Sequence, residues 1–132
     1  MRVLISLFLA LTFVAPAFAK SAEVDPDKVL VVMVYSSSCK KFCNEVRPML
    51  AKIEEKYGDK VAVHMLGISG DDLARSKEME KKLGISGFLP AMLDLVPAVG
   101  IFSPKRKLVK ELISSKKFDQ YTKYIDVALK AK

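Results

Sequence analysis

A run of seven apolar residues, Val29–Tyr35, leads through three serines into the two cysteines of the chain, Cys39 and Cys43. A continuous run of this length, rich in β-branched residues, predicts a strand covered on both faces, as in the middle of an α/β sheet. Functional groups in such sheets collect at the carboxyl ends of the strands. The run therefore predicts that both cysteines lie at the end of a buried central strand.

The first residues have the pattern of a secretory signal peptide. Arg2 precedes an apolar stretch, and an Ala-Phe-Ala sequence ends at Ala19. The stretch is shorter than the ~20 residues that a membrane-spanning helix needs. We therefore expect a signal peptide over residues 1–19 and a single exported domain over residues 20–132, periplasmic or secreted, with no membrane span in the mature chain.

The formal net charge of +7 arises from lysines that are scattered among acidic residues. A basic surface can attract acidic partners or a membrane surface. The densest basic group, residues 105–107, fits the tip of a hairpin better than a binding site. Since an exported chain without a basic and aromatic array is a poor candidate for nucleic-acid binding, we expect no nucleic-acid partner.

The spacing of the cysteines argues for a chemical role. A disulfide that closes so short a loop removes little entropy from the unfolded chain, whereas structural bridges in small secreted domains usually join distant segments. The pair Cys39 and Cys43 is therefore predicted to be redox-active or to bind a metal.

The remaining apolar patterns predict alternating strands and helices. Gly58 and Gly84 fit the ends of the first two helices, and Ser114 or Ser115 can cap the last one. Pro48 lies inside the first helix and should bend it. The predicted elements are a strand over 28–35, a helix over 40–57, a strand over 60–68, a helix ending at 83, a loop over 84–96 with one helical turn around 91–95, hairpin strands over 97–102 and 108–113, and a helix over 116–130.

This order, with Cys43 opening a helix and a Val96-Pro97 step before a hairpin, resembles the thioredoxin-fold proteins. The resemblance extends over residues 28–129. It implies a near-minimal thioredoxin-like α/β domain, in which a four-stranded mixed sheet carries helices on both faces. It also implies that Pro97 is a cis proline beside the cysteines and that Val96 offers backbone hydrogen bonds to a bound peptide. Pro90 is the alternative position for that cis proline.

Three features depart from the usual pattern of this family. Three residues, 40–42, separate the cysteines where the family commonly has two. Ser38 stands where a tryptophan usually precedes the first cysteine. The acidic residue that often assists proton transfer from the preceding strand has no counterpart within Val29–Tyr35.

The chemistry of the pair predicts different roles for its two members. A helix N-terminus and the adjacent Lys40 and Lys41 favour the thiolate form of Cys39, which is the nucleophile in disulfide exchange. Cys43 can then resolve the mixed disulfide. Residues four apart in a regular helix have Cβ atoms ~6 Å apart, while a disulfide needs ~4 Å. Cys39 is therefore expected to precede the regular helix.

The main prediction is a thiol–disulfide oxidoreductase that acts on protein disulfides or thiols, needs no cofactor or metal, and is recycled by a redox partner. One alternative is a copper-binding metallochaperone, because the pair also resembles the copper chaperones of cytochrome oxidase assembly. In a metallochaperone, His64 and Met92 would be the candidate copper ligands. His64 is more typical of an ordinary strand residue than of a copper ligand, and Met92 is more typical of a core residue. A second alternative is a binding module with an idle disulfide, in which residues 88–95 form an apolar partner surface.

Overall fold

A computed structural model describes residues 26–131 of the 132-residue chain, so the predicted signal peptide lies outside the described residues. None of the helices in that range is both long enough and apolar enough to cross a membrane. The elements are β1 (Val29–Tyr35), α1 (Lys41–Tyr57), a short 3-10 turn (Gly58–Lys60), β2 (Val61–Gly67), α2 (Asp72–Leu83), α3 (Phe88–Met92), β3 (Ala98–Phe102), β4 (Leu108–Ile113) and α4 (Phe118–Lys130).

The four strands form one mixed sheet in the order β2-β1-β3-β4. Strand β2 runs parallel to β1, as a strand–helix–strand connection requires, and Val32 pairs with His64. Strand β3 runs antiparallel to β1, and Val34 pairs with Ala98. Strand β4 returns antiparallel to β3 through the predicted hairpin. The predicted α/β fold is confirmed, and its arrangement is consistent with a small thioredoxin-like domain.

Helices cover both faces of the sheet, which explains why β1 is apolar throughout. Side chains alternate between the two faces of a strand. Val29, Val31 and Met33 pack under α1 and α4, together with Cys43 and Tyr121. The opposite face of the sheet packs against α2 and α3. The buried residues of this second core are Leu30, Val32, Val34, Leu66, Leu83, Ile85, Phe88, Leu89, Met92, Ala98 and Phe102. The predicted double coverage of the central strand is confirmed.

The segment between α2 and β3 differs from the sequence prediction. The helical turn expected around residues 91–95 is the five-residue helix α3, which starts at Phe88. Gly87 precedes it with a φ of 96°, a conformation that glycine adopts readily. Pro90 lies in the first turn, where a missing N–H costs little because that group has no partner within the helix. The proline is therefore compatible with the start of this helix.

One further expectation about the helices is wrong. Lys117 precedes α4 and no side chain caps that helix, so neither Ser114 nor Ser115 has the predicted role. The backbone N–H of Ser114 instead donates to the carbonyl oxygen of Pro97 at 2.8 Å, a hydrogen bond that joins the end of β4 to the start of β3.

Helix α3 packs against β3 at a position that only glycine fits. A Cβ atom at Gly100 would lie 2.5 Å from the Phe88 ring. That ring meets Phe102 edge-on, with 5.1 Å between the ring centroids. Through this contact α3, which precedes Pro97 in the chain, packs against β3.

We predict that Gly100→Ala lowers the free energy of unfolding by about 1–3 kcal/mol, because the added methyl group forces the Phe88 ring to move. Urea unfolding of the variant and the parent protein measures the difference. Phe88→Leu in the Gly100→Ala background removes two of the three close contacts and leaves the Phe102 ring at 2.8 Å. Phe88→Leu should therefore cost less stability in this background than it does alone. Independent, additive effects of the two substitutions would contradict this account.

Candidate redox site

The two cysteines lie at the carboxyl end of β1 and are joined by a disulfide. Strand β1 ends at Tyr35, and a turn follows in which the backbone N–H of Cys39 donates to the carbonyl oxygen of Ser36 at 3.2 Å. Helix α1 begins at Lys41, so Cys39 precedes the regular helix, as predicted. The Cα atoms of Cys39 and Cys43 are 5.6 Å apart, a spacing typical of disulfides.

The turn before α1 is anchored to the neighbouring loop. The backbone N–H of Ser37 donates to the Oγ atom of Ser69 at 2.8 Å. Ser69 follows β2, the parallel neighbour of β1, and the Ile68 N–H donates to the carbonyl oxygen of Tyr35 at 3.0 Å. The sequence gave no sign of this contact with Ser69, because the contact depends on the pairing of β1 with β2.

The two cysteines differ in their access to solvent. Cys43 is 1% exposed and belongs to the core between the sheet, α1 and α4. Cys39 packs against the edge of that core and is only partly buried. A thiol from another molecule therefore reaches Cys39 more readily than Cys43, which fits the predicted roles of attacking and resolving residue.

The surroundings of the disulfide are basic or neutral. Lys40 and Lys41 are exposed, and the first turn of α1 contains no acidic residue. Arg47, two turns further along α1, places its guanidinium carbon 5.3 Å from the centre of the Tyr35 ring. Both the backbone N–H groups at a helix start and nearby cations favour an anion at Cys39. The contact between Arg47 and Tyr35 was missed at the sequence level, since nothing in the spacing indicates it.

The Val96-Pro97 step lies at the same end of the sheet as the cysteines. Ala98 pairs with Val34, so continuing this antiparallel register places Pro97 opposite Tyr35. The Val96-Pro97 peptide bond is cis, whereas Pro90 lies within α3. Within residues 26–131, the backbone N–H and C=O of Val96 make no hydrogen bond. An extended segment that passes this residue would find a free donor and a free acceptor.

His64 is separated from the disulfide by the sheet itself. It pairs with Val32, and its side chain therefore points to the α2 face, whereas Cys43 packs on the α1 face. Met92 is buried in the core of the α2 face. Over residues 26–131, no group of three or more His, Cys, Asp or Glu side chains is placed to hold a metal ion. The structure does not bring His64 or Met92 to the cysteine pair.

No protein-family model matches this sequence, and a search of the curated proteins finds no match either. The interpretation of the site therefore depends on the geometry of the chain itself.

Burial lowers the pKa of His64 below its ordinary value, and the positive charge of Arg106 lowers it further. Because the unfolded chain then binds a proton more readily than the folded chain, we predict that the free energy of unfolding decreases as the pH falls below about 6.5. Urea unfolding between neutral pH and about pH 5 measures the slope. His64 is the one histidine of the chain, so His64→Gln should flatten the profile in this range. If His64→Gln keeps the full pH dependence of the free energy of unfolding, that dependence arises from other titratable groups.

Proposed function

We propose that this chain is an exported thiol–disulfide oxidoreductase that exchanges disulfides with protein substrates through Cys39 and Cys43. The observation that carries the proposal is the asymmetry of the pair, in which a partly exposed cysteine before a helix is bonded to a buried cysteine one turn inside it. The export step is supported by the sequence pattern that ends at Ala19. The setting it implies is oxidising, where such a pair is useful.

The reduced form of the pair acts first through Cys39. Its thiolate attacks one sulfur of a substrate disulfide, a new bond forms between Cys39 and the substrate, and the other substrate sulfur leaves as a thiolate. The Cys43 thiolate then attacks the Cys39 sulfur. The protein regains its disulfide and the substrate leaves with two thiols, so two electrons and two protons pass from protein to substrate. The reverse sequence oxidises a substrate dithiol.

Val96 and Pro97 form the proposed substrate-binding element. The free backbone N–H and C=O of Val96 can pair with an extended substrate segment, as an added strand pairs with a sheet edge. By the register of β3 with β1, Pro97 lies opposite Tyr35, at the end of β1 that leads into the turn carrying Cys39. Such pairing holds a substrate through its backbone and leaves the side chains free to vary.

No acidic side chain lies in β1, and this limits the proton transfer that the site itself can provide. The buried carboxylate of Glu80 lies on the α2 face, where it accepts a hydrogen bond from the backbone N–H of Leu89 at 2.8 Å. It is therefore separated from Cys43 by the sheet. Neither β1 nor Glu80 therefore offers a proton acceptor when Cys43 becomes a nucleophile, which favours a slow resolving step.

We predict a reversible redox couple for the purified protein when it is equilibrated against glutathione. A reduction potential between about −270 and −120 mV would match the range of proteins that exchange disulfides. Mass spectrometry after acid quenching and alkylation measures the fraction reduced. A pair that stays oxidised across the whole glutathione series would instead support the binding module with an idle disulfide, and protection of the thiols only by stoichiometric Cu(I) would support a metallochaperone.

The two cysteine variants should behave differently. Cys39→Ser removes the attacking sulfur, and we expect exchange to fall to background while the far-ultraviolet circular dichroism spectrum stays unchanged. Cys43→Ser keeps the attacker but removes the resolving thiol, so a mixed disulfide with the substrate should accumulate. Non-reducing electrophoresis detects it. If Cys39→Ser retains full activity, or if Cys39→Ser rather than Cys43→Ser accumulates the mixed disulfide, the assigned roles are wrong.

A further inference from the structure

Two exposed lysines follow the attacking cysteine directly. Lys40 and Lys41 are both solvent-exposed, and the nearest acidic residue along α1 is Glu45, which lies one turn after Lys41 but forms no ion pair with it. Neither lysine forms an ion pair with any residue between 26 and 131. Both positive charges are therefore unpaired within this range and open to solvent, and both are close in the chain to Cys39.

A third cation lies on the same side of α1. Arg47 is seven residues from Lys40, so the two share an exposed stripe of the helix. Its position over the Tyr35 ring holds it at the end of β1, near the cysteine turn. Asp72, at the start of α2, is already paired with Arg75. Arg47 itself has no acidic partner among the described residues.

An apolar side chain stands among these cations. Phe42 lies between Lys41 and Cys43 in the chain and is 45% exposed. The Nζ atom of Lys41 is 5.5 Å from the centre of the Phe42 ring, so the ammonium group is held over an aromatic face. The surface beside Cys39 thus combines positive charge with one exposed ring.

We propose that the substrates of this site carry acidic side chains next to the cysteine that reacts with Cys39. The inference rests on the proposed exchange activity and names its substrate class. An acidic segment aligned along Val96 would meet Lys40 and Lys41 as its sulfur reaches Cys39. Because the whole chain has a formal net charge of +7, an acidic substrate is also attracted at longer range. Complementary charge at such a surface raises the rate of encounter more than it raises affinity.

The test compares two peptides that each contain one internal disulfide. They differ only in the residues beside the cysteines, which are aspartates in one peptide and lysines in the other. The purified protein is reduced, mixed with each peptide in turn, and quenched with acid at intervals. Mass spectrometry follows the oxidation of Cys39 and Cys43 together with the reduction of the peptide. We expect the aspartate peptide to react about tenfold faster at low ionic strength, and added salt to shrink this ratio.

A matched pair of charge-reversal variants assigns the preference to the proposed surface. Lys40→Glu combined with Lys41→Glu should abolish or invert the ratio of the two rates. Lys81→Glu combined with Lys82→Glu makes the same change in net charge on α2, on the opposite side of the sheet, and should leave most of the ratio intact. Because each ratio is taken within one variant, a changed nucleophilicity of Cys39 cancels. The neutral 2-hydroxyethyl disulfide reports that nucleophilicity separately.

The outcomes separate this inference from the function on which it rests. Equal rates for both peptides, with normal exchange of the neutral disulfide, overturn the acidic-substrate proposal and leave the oxidoreductase intact. A preference that both double variants reduce equally also overturns it, because net charge alone then explains the selectivity. No exchange with either peptide or with the neutral disulfide overturns both proposals.

Discussion

The burial of β1 on both faces is the constraint on which the rest of the structure depends. A strand with no solvent-facing side needs a helical layer above and below it, and a neighbouring strand on each edge. Helices α1 and α4 supply one layer, and α2 with α3 supplies the other. The residues that follow β1 reach the surface, since Ser37 and Ser38 are exposed. The cysteine turn therefore begins at the surface, directly after the buried central strand.

The two cysteines then differ because of where α1 starts. The regular helix begins at Lys41, which leaves Cys39 in the turn and places Cys43 on the buried stripe with Val46 and Leu50. One sulfur therefore belongs to the core and the other to its edge. The same helix start sets two lysines beside the partly exposed cysteine, and neither forms an ion pair with a residue of the range 26–131. The proposed redox chemistry and the proposed charge selectivity thus both belong to residues 39–43, and both depend on the start of α1 at Lys41.

Much of the fold was predictable from local pattern. The apolar run of β1, the stripe of α1, Gly84 at the end of α2 and the hairpin around residues 103–107 each carry their own signal, and each is found as expected. The errors fall where long-range packing overrides local preference. The ring of Phe88, in α3, lies against Gly100, and the Ser114 N–H donates to the carbonyl oxygen of Pro97. Neither partner is near in sequence.

The sequence by itself determined the central strand, the order of the elements and the position of both cysteines around a helix start, because these depend on residues close together in the chain. Only the tertiary structure decided which groups surround the pair. Strand register brings Val96 and Pro97 to the end of β1, and the pairing of β1 with β2 brings Ser69 to the turn. The alternation of side chains in β2 puts His64 on the far face. These placements depend on hydrogen bonds and packing between distant segments, which have no local signal.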